Sequence, residues 1–489
     1  MMTVLGKMKK EAFTAYVFPV VYGGFGLYCL LHVHQGLTVD GYIVVSSASR
    51  ILSELAHTGY GAGLWPPLYP LLVGIVGLVL ELELGAKVLS LFAAVGILTC
   101  LPFLTRFLNL GFLPGLFLQP LLGFNASFLD VSLQAETHML DAFLFTLSVY
   151  FGLKYFVRPS TGSLKFLTVF TILACMTRYS SWVLIPVLTI VFWSSDNFKS
   201  RSPSIPVSVL LMVTCCLGWS LYNFFLNGFL ISGQKSGGSV AGLGMSEAGL
   251  LDYTPYTWVH SGYFKYSSLG DLVQTFPREY VSHLVANTLT IVKFGIFDFP
   301  PLGMFSCLIA VGLIGVLIRS FRSEYFFLLL VIVSYSGLIV IIRYQWVYLI
   351  HLGVILAALG MGFLWNFGLR YFSRYKLIVL LVAVILVQGG SQFDDVEQLL
   401  GNGFRRAWAP SDTIQRVEDR VKELNRNVGK PSKTVRVMLN YVFIPNLYKH
   451  GFSLVTMPLP DRPAAEFLCY GGLSTEQIQF YKHLNYPAN

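Results

Sequence analysis

A few ionisable residues stand at the ends of long apolar runs, and together they could handle a proton and an anion. Asp40 follows the first run in Val39-Asp40-Gly41-Tyr42, while Glu136, His138 and Asp141 share the stretch Gln134-Ala135-Glu136-Thr137-His138-Met139-Leu140-Asp141. A carboxylate so placed can take a proton from an attacking hydroxyl or amine. Arg178, in Thr177-Arg178-Tyr179, and Arg343, in Arg343-Tyr344-Gln345-Trp346, each adjoin an apolar run, and a guanidinium can hold an anion such as phosphate. Plainer readings exist for each. Asp40 suits the N-cap of a following helix, Glu136 a solvated loop end, and the arginines snorkelling ends of spans. Asp141 sits about a turn deeper, where an ionisable group is costly unless paired or used. His138 is a partner for either carboxylate.

The elements that must position these residues are membrane spans. Hydrophobic residues make up 55% of the 489 and charged residues 12%, with mean hydropathy +0.64; a soluble domain carries roughly 25% charge. Many apolar stretches approach the roughly 20 residues that cross a bilayer as a helix. The net charge of +9 resides in short loops between these runs, where it sets orientation, so nucleic-acid binding is not implied. The seven cysteines lack CxxC or Cys/His ligand spacing, and no disulfide framework or metal cluster is read from them. Lys7, Lys9 and Lys10 precede an apolar run to about residue 33 with no small-residue cleavage site, which predicts an uncleaved first span.

Basic clusters at 7–10, 106, 154–165, 199–201, 319–322 and 370–376 should all face the cytoplasm, so an even number of crossings must separate them. This predicts an all-α polytopic protein of eleven spans, N-terminus inside. Trp65-Pro66-Pro67-Leu68-Tyr69-Pro70 and the run to Leu80 are then half-inserted, and 284–298 is interfacial. From Val44, apolar residues recur at helical spacing beside Arg50 and Glu54, predicting an amphipathic helix on the membrane surface. The exoplasmic face collects the loops 35–85 and 231–283, the Arg178 hairpin tip, Arg343 and the C-terminal residues. Residues 1–390 form the transmembrane domain. Residues 391–489, richer in charge, predict a small exoplasmic α/β domain with strands at 435–439 and 453–457 and helices at 446–450 and 474–484. The glycine-rich 233–244 stretch lacks a GK[ST] ending and reads as a flap over the site.

This order of features resembles the GT-C glycosyltransferases, in the branch holding the protein mannosyltransferases and the lipid A aminoarabinose transferase. The resemblance rests on Asp40 after the first span, a surface helix, Pro66-Pro67-Leu68-Tyr69-Pro70, the acidic position at Glu136, Thr177-Arg178-Tyr179, Arg343-Tyr344 and an exoplasmic C-terminal domain. It covers most of the chain. Gly41 stands where the family often has a second carboxylate, which leaves subfamily and substrate open.

The resemblance implies an inverting, single-displacement transfer of a hexose or pentose from a polyprenyl-phosphate carrier to a glycan, glycolipid or protein acceptor. Asp40 would be the general base and Glu136 a second carboxylate. Arg178 and Arg343 would bind the phosphate, with Arg50, Asp141, His138 and Tyr69 as further substrate-binding residues. Metal dependence stays open; a divalent cation would draw on Asp40 and Glu136. Two other classes compete. An O-antigen ligase or polymerase would use His260, Arg278 and His283 of the large loop, and a lipid or sugar transporter would show repeated halves and midplane charges.

Overall fold

The computed structural model describes residues 2–32, 65–194, 204–227, 230–231, 237–250 and 268–401, isolated positions between 41 and 51, and three short strands beyond residue 435. Asp40, Arg50 and His260 lie outside the described residues, as do the helices expected at 446–450 and 474–484.

The chain is a bundle of helices. The first half comprises α1 (Met2–His32), α2 (Leu68–Gly77), α3 (Leu82–Phe107), α4 (Leu113–Gly123), α5 (Ala126–Ser132), α6 (Thr137–Val157) and α7 (Thr161–Cys175). A 3-10 turn at Tyr179–Val183 opens α8 (Leu184–Ser194), which precedes α9 (Ser204–Asn227) and α10 (Gly237–Glu247). Next come α11 (Leu269–Thr275), α12 (Pro277–Thr290) with its π-helical continuation Ile291–Phe297, and α13 (Cys307–Arg319). The last three are α14 (Ser323–Ile342), α15 (Ile350–Gly368) and α16 (Arg374–Gly401).

Eight helices among the described residues are long and apolar enough to cross a membrane, rather than eleven. Seven coincide with expected spans. The other four expected spans are apolar helices of 10–17 residues, at Leu113–Gly123, Thr161–Cys175, Tyr179–Ser194 and Gly303–Arg319. Apolar composition runs on through turns that hydrogen bonding interrupts: Asn125 Oδ1 accepts from Phe128 N at 3.1 Å and starts α5 two residues after α4 ends. The ten residues of α2 extend roughly 15 Å, half the thickness of a hydrocarbon core, in keeping with a half-inserted helix. Leu68 N donates to Met176 O at 2.9 Å and fastens its start to the tip after α7.

The eighth long helix, Pro277–Phe297, is the stretch expected to be interfacial. Tyr280 Oη donates to Ile341 O at 3.2 Å, His283 Nε2 lies 3.0 Å from Ile342 O, and Asn287 Nδ2 donates to Val340 O at 3.0 Å. Positions 280 to 287 rise roughly 10 Å along α12, yet they meet three consecutive carbonyls of α14. So α12 crosses the end of α14 steeply, and its side chains satisfy carbonyls that a helix end leaves open.

Two helices approach more closely than side chains would allow. A Cβ at Gly312 of α13 would lie 2.0 Å from Leu356 O, and one at Gly360 of α15 would lie 2.0 Å from Leu308 O. Small residues permit such backbone contact between apolar helices.

The bundle has two chemically distinct ends. At one, Glu11 of α1 pairs with Arg106 of α3, Phe107 meets Tyr150 at 5.9 Å, and Arg319 lies 4.3 Å from the Phe363 ring. That basic end gathers the finish of α3, α6, α13 and α15 and the start of α14 and α16. The other end gathers Tyr69, Glu136, Arg178 and Arg343.

Beyond residue 435, three strands pair in parallel in the order β2-β1-β3, with β1 Arg436–Met438, β2 Ser453–Leu454 and β3 Phe467–Leu468. The first two fall within expected strands; the third, Phe467–Leu468, was not expected.

Candidate active site

Arg178 is the hub of the end opposite the basic one. After α7 ends at Cys175 the chain is extended at Arg178 (φ −146°, ψ 141°) before it enters the 3-10 turn. Cys175 O accepts from Trp182 Nε1 at 2.9 Å, which ties the tip to the helix it leaves. Arg178 is 7% exposed. Its Nη1 donates to Thr137 Oγ1 at 3.0 Å and approaches His138 Nδ1 at 2.8 Å. The rings of Trp65 and Tyr348 each lie with their centroids 4.9 Å from its Cζ, contacts in which ring quadrupoles favour the cation.

These contacts assign the tautomer of His138. A guanidinium has donors only, so Nδ1 must present its lone pair to Arg178. The proton of the neutral imidazole then sits on Nε2, which faces Glu136 Oε2 at 3.2 Å. Cation, imidazole and carboxylate form a directed chain. Glu136 itself stands extended at the start of α6 (φ −129°, ψ 158°), so its side chain projects from the helix end.

Arg343 joins the same cluster through two residues that spacing did not single out. With the Gln345 amide oriented to satisfy its neighbours, its oxygen accepts from Arg343 Nη1 at 3.2 Å and Nη2 at 2.8 Å, and its nitrogen donates to Tyr348 Oη at 2.8 Å. The Tyr348 ring also lies 5.5 Å from that of His138. Gln345 and Tyr348 thus link the two arginines. The glycine-rich stretch expected as a flap is helical as α10. It rests on this region: a Cβ at Gly244 would lie 2.8 Å from His283 Cε1 and 3.2 Å from Arg343 Cγ.

Asp141 is 2% exposed and accepts from Ser181 Oγ at 2.6 Å, with Arg178 as an opposing charge. Its hydrogen bond fixes Ser181 in the 3-10 turn that follows Arg178. Tyr69 departs from its expected place as a substrate-binding ring. It is fully buried; its hydroxyl donates to Ala86 O at 2.9 Å and lies 2.8 Å from Ser90 Oγ. Ser90 in turn donates to Glu136 O at 3.1 Å. Tyr69 therefore holds the backbone of Glu136. Trp65 faces Arg178.

Asp130 lies in the stretch 128–137, expected as a loop between two spans, and was not singled out there. Its Oδ2 accepts from Gln134 Nε2 at 2.9 Å. Burial pushes its carboxyl up to about 6, with the charge of Glu136 adding to the rise and the Gln134 hydrogen bond opposing it. Of the residues of the competing ligase reading, His283 is buried against the end of α14 and Arg278 is exposed on α12, while His260 lies outside the described residues. Among the described residues no group of three His, Cys, Asp or Glu side chains could hold a metal ion.

The bundle shares its fold with solved structures of an archaeal oligosaccharyltransferase. One of these is AglB from Archaeoglobus fulgidus in complex with an inhibitory peptide and a dolichol-phosphate. That match has a TM-score of 0.51 at 12% identity and covers 87% of this chain and 62% of that one. The apo form of the same transferase matches at 0.51 and 12%, over 88% and 62%. This chain therefore spans less than two thirds of the length of those structures. ArnT from Cupriavidus metallidurans bound to undecaprenyl phosphate matches at a TM-score of only 0.35 with 11% identity, over 71% and 77%. No protein-family model and no curated protein matches the chain. At such identities the likeness is one of fold.

Proposed function

We propose that the protein is a membrane glycosyltransferase that moves a sugar from a polyprenyl-phosphate carrier to an acceptor on the exoplasmic face. The observation that carries this reading is the convergence of Arg178, Arg343, His138 and Glu136 at one end of the bundle. The dolichol-phosphate bound to the AglB structure of like fold supports it.

In this reading Asp40 takes the proton of the acceptor hydroxyl or amine as that group attacks the anomeric carbon. The bond from that carbon to the phosphate oxygen breaks in the same step, with inversion. Polyprenyl phosphate leaves, and its charge is held by Arg178 and Arg343, with Arg50 contributing from the surface helix. His138 keeps Arg178 and Glu136 in register, and Glu136 orients the acceptor. A divalent cation, when bound, would draw on Asp40 and Glu136 and supply further positive charge. The basic end of the bundle faces the cytoplasm and the C-terminal residues lie outside, as the positive-inside bias favours.

The test is turnover by purified full-length protein on a panel of polyprenyl-phosphate sugars. Asp40→Asn should lose at least about a hundredfold in turnover, the usual worth of general-base catalysis. Full turnover by that variant on a substrate the wild type uses would overturn the base assignment.

A further inference from the structure

At the basic end, remote from Arg178, the described residues frame a second hollow. Helices α13 and α15 meet backbone to backbone at Gly312 and Gly360. Helices that cross at such close quarters diverge beyond the crossing, and toward Arg319 this pair leaves a groove of about 440 Å3. Ile314, Ile318, Leu364 and Phe367 line it, all exposed large apolar side chains. Arg319 and Arg370 stand at its mouth, and no acidic side chain lines it. Arg319 lies 4.3 Å from the Phe363 ring, and its Nη1 donates to Tyr325 Oη at 3.4 Å. Among the described residues neither arginine has a carboxylate partner. Just beyond them in the chain, the rings of Phe321, Tyr371, Phe372 and Tyr375 are exposed; aromatic side chains gather at the headgroup level of a bilayer. The groove thus places apolar surface at acyl-chain depth and two cations at headgroup depth.

We propose that this groove binds an anionic glycerophospholipid, with an acyl chain along Ile314, Ile318, Leu364 and Phe367 and the phosphate between Arg319 and Arg370. Charge complementarity selects the occupant. Basic pockets between spans attract anionic headgroups, whereas a zwitterionic lipid would bring a quaternary ammonium to two arginines with no carboxylate to receive it. The inference rests on the membrane reading of the bundle and stands apart from the transfer chemistry at Arg178.

Native mass spectrometry of the purified full-length protein tests it, with phosphatidylglycerol and phosphatidylcholine of identical acyl chains as probes. The wild type should retain phosphatidylglycerol preferentially. Arg319→Gln and Arg370→Gln should each weaken that retention about fivefold and leave phosphatidylcholine unaffected. Leu364→Trp, which fills the groove from an exposed position, should lower retention while the melting temperature stays unchanged. Equal retention of the two lipids by the wild type overturns the proposal, as does an undiminished preference in the double arginine variant. Retention of undecaprenyl phosphate in place of phosphatidylglycerol, with the same arginine dependence, overturns the assigned occupant.

Discussion

The proton of His138 sits on Nε2 because Arg178 takes the other nitrogen, so Glu136 meets a hydrogen-bond donor rather than a second cation. Asp130 is the titrating neighbour of this chain of contacts. Its folded pKa of about 6 lies above the ordinary 3.8, so the folded protein holds the proton more tightly than the unfolded chain. That preference is fully present below about pH 4 and is lost as pH rises through 6. Above 6, Asp130 is an anion beside Glu136. Turnover measured against pH should show an ionisation near 6 in the wild type that Asp130→Asn removes; an identical profile in both would refute the link. Arg178, Arg343, Glu136 and His138 were legible because ionisable residues at the ends of apolar runs stand out against them. Gln345, Tyr348, Ser90 and Asp130 were not. Their partners lie far along the chain or on another helix, and nothing in local spacing records such a meeting. Tyr69 was legible as a position, but its burial was not, since that depends on α3, which packs over it.

Helix type followed from composition, and helix length did not. Expected crossings such as Leu113–Gly123 proved short because a cap or turn interrupts an apolar run that composition alone shows as continuous. The proline-rich entry to α2, by contrast, announced a short helix directly. The contact of α13 with α15 depends on glycines at Gly312 and Gly360, where any side chain meets a backbone carbonyl. Gly312→Leu should therefore destabilise the protein by about 1–3 kcal/mol or more, the usual cost of overpacking, read as a fall in melting temperature in detergent. Gly218→Ala, where nothing lies within 4 Å of an added Cβ, is the matched control and should change little. Equal effects of the two substitutions would remove the crossing from the account of stability.

Among the described residues charge sorts by end: Arg106, Arg319 and Arg370 gather at one, and the Arg178 cluster occupies the other. The positive-inside bias made that division readable from loops alone, even where the number of spans was not. A cysteine replacing Ser373 at the basic end and one replacing Ile231 beyond α9, each in a Cys307→Ser background, should label from opposite sides of sealed vesicles. Labelling of both from one side would overturn the orientation. Of the C-terminal region, alternation found two strands of a parallel sheet and missed the third.

The ring of Trp65 against Arg178 also makes the site its own optical probe. An indole beside a guanidinium senses any anion that draws charge from it, so adding a polyprenyl phosphate should alter tryptophan emission. The sequence holds eight tryptophans, but the part of the signal that vanishes in both Trp65→Phe and Arg178→Gln belongs to this one. Occupancy of the phosphate position can then be followed in real time before any sugar or acceptor has been identified.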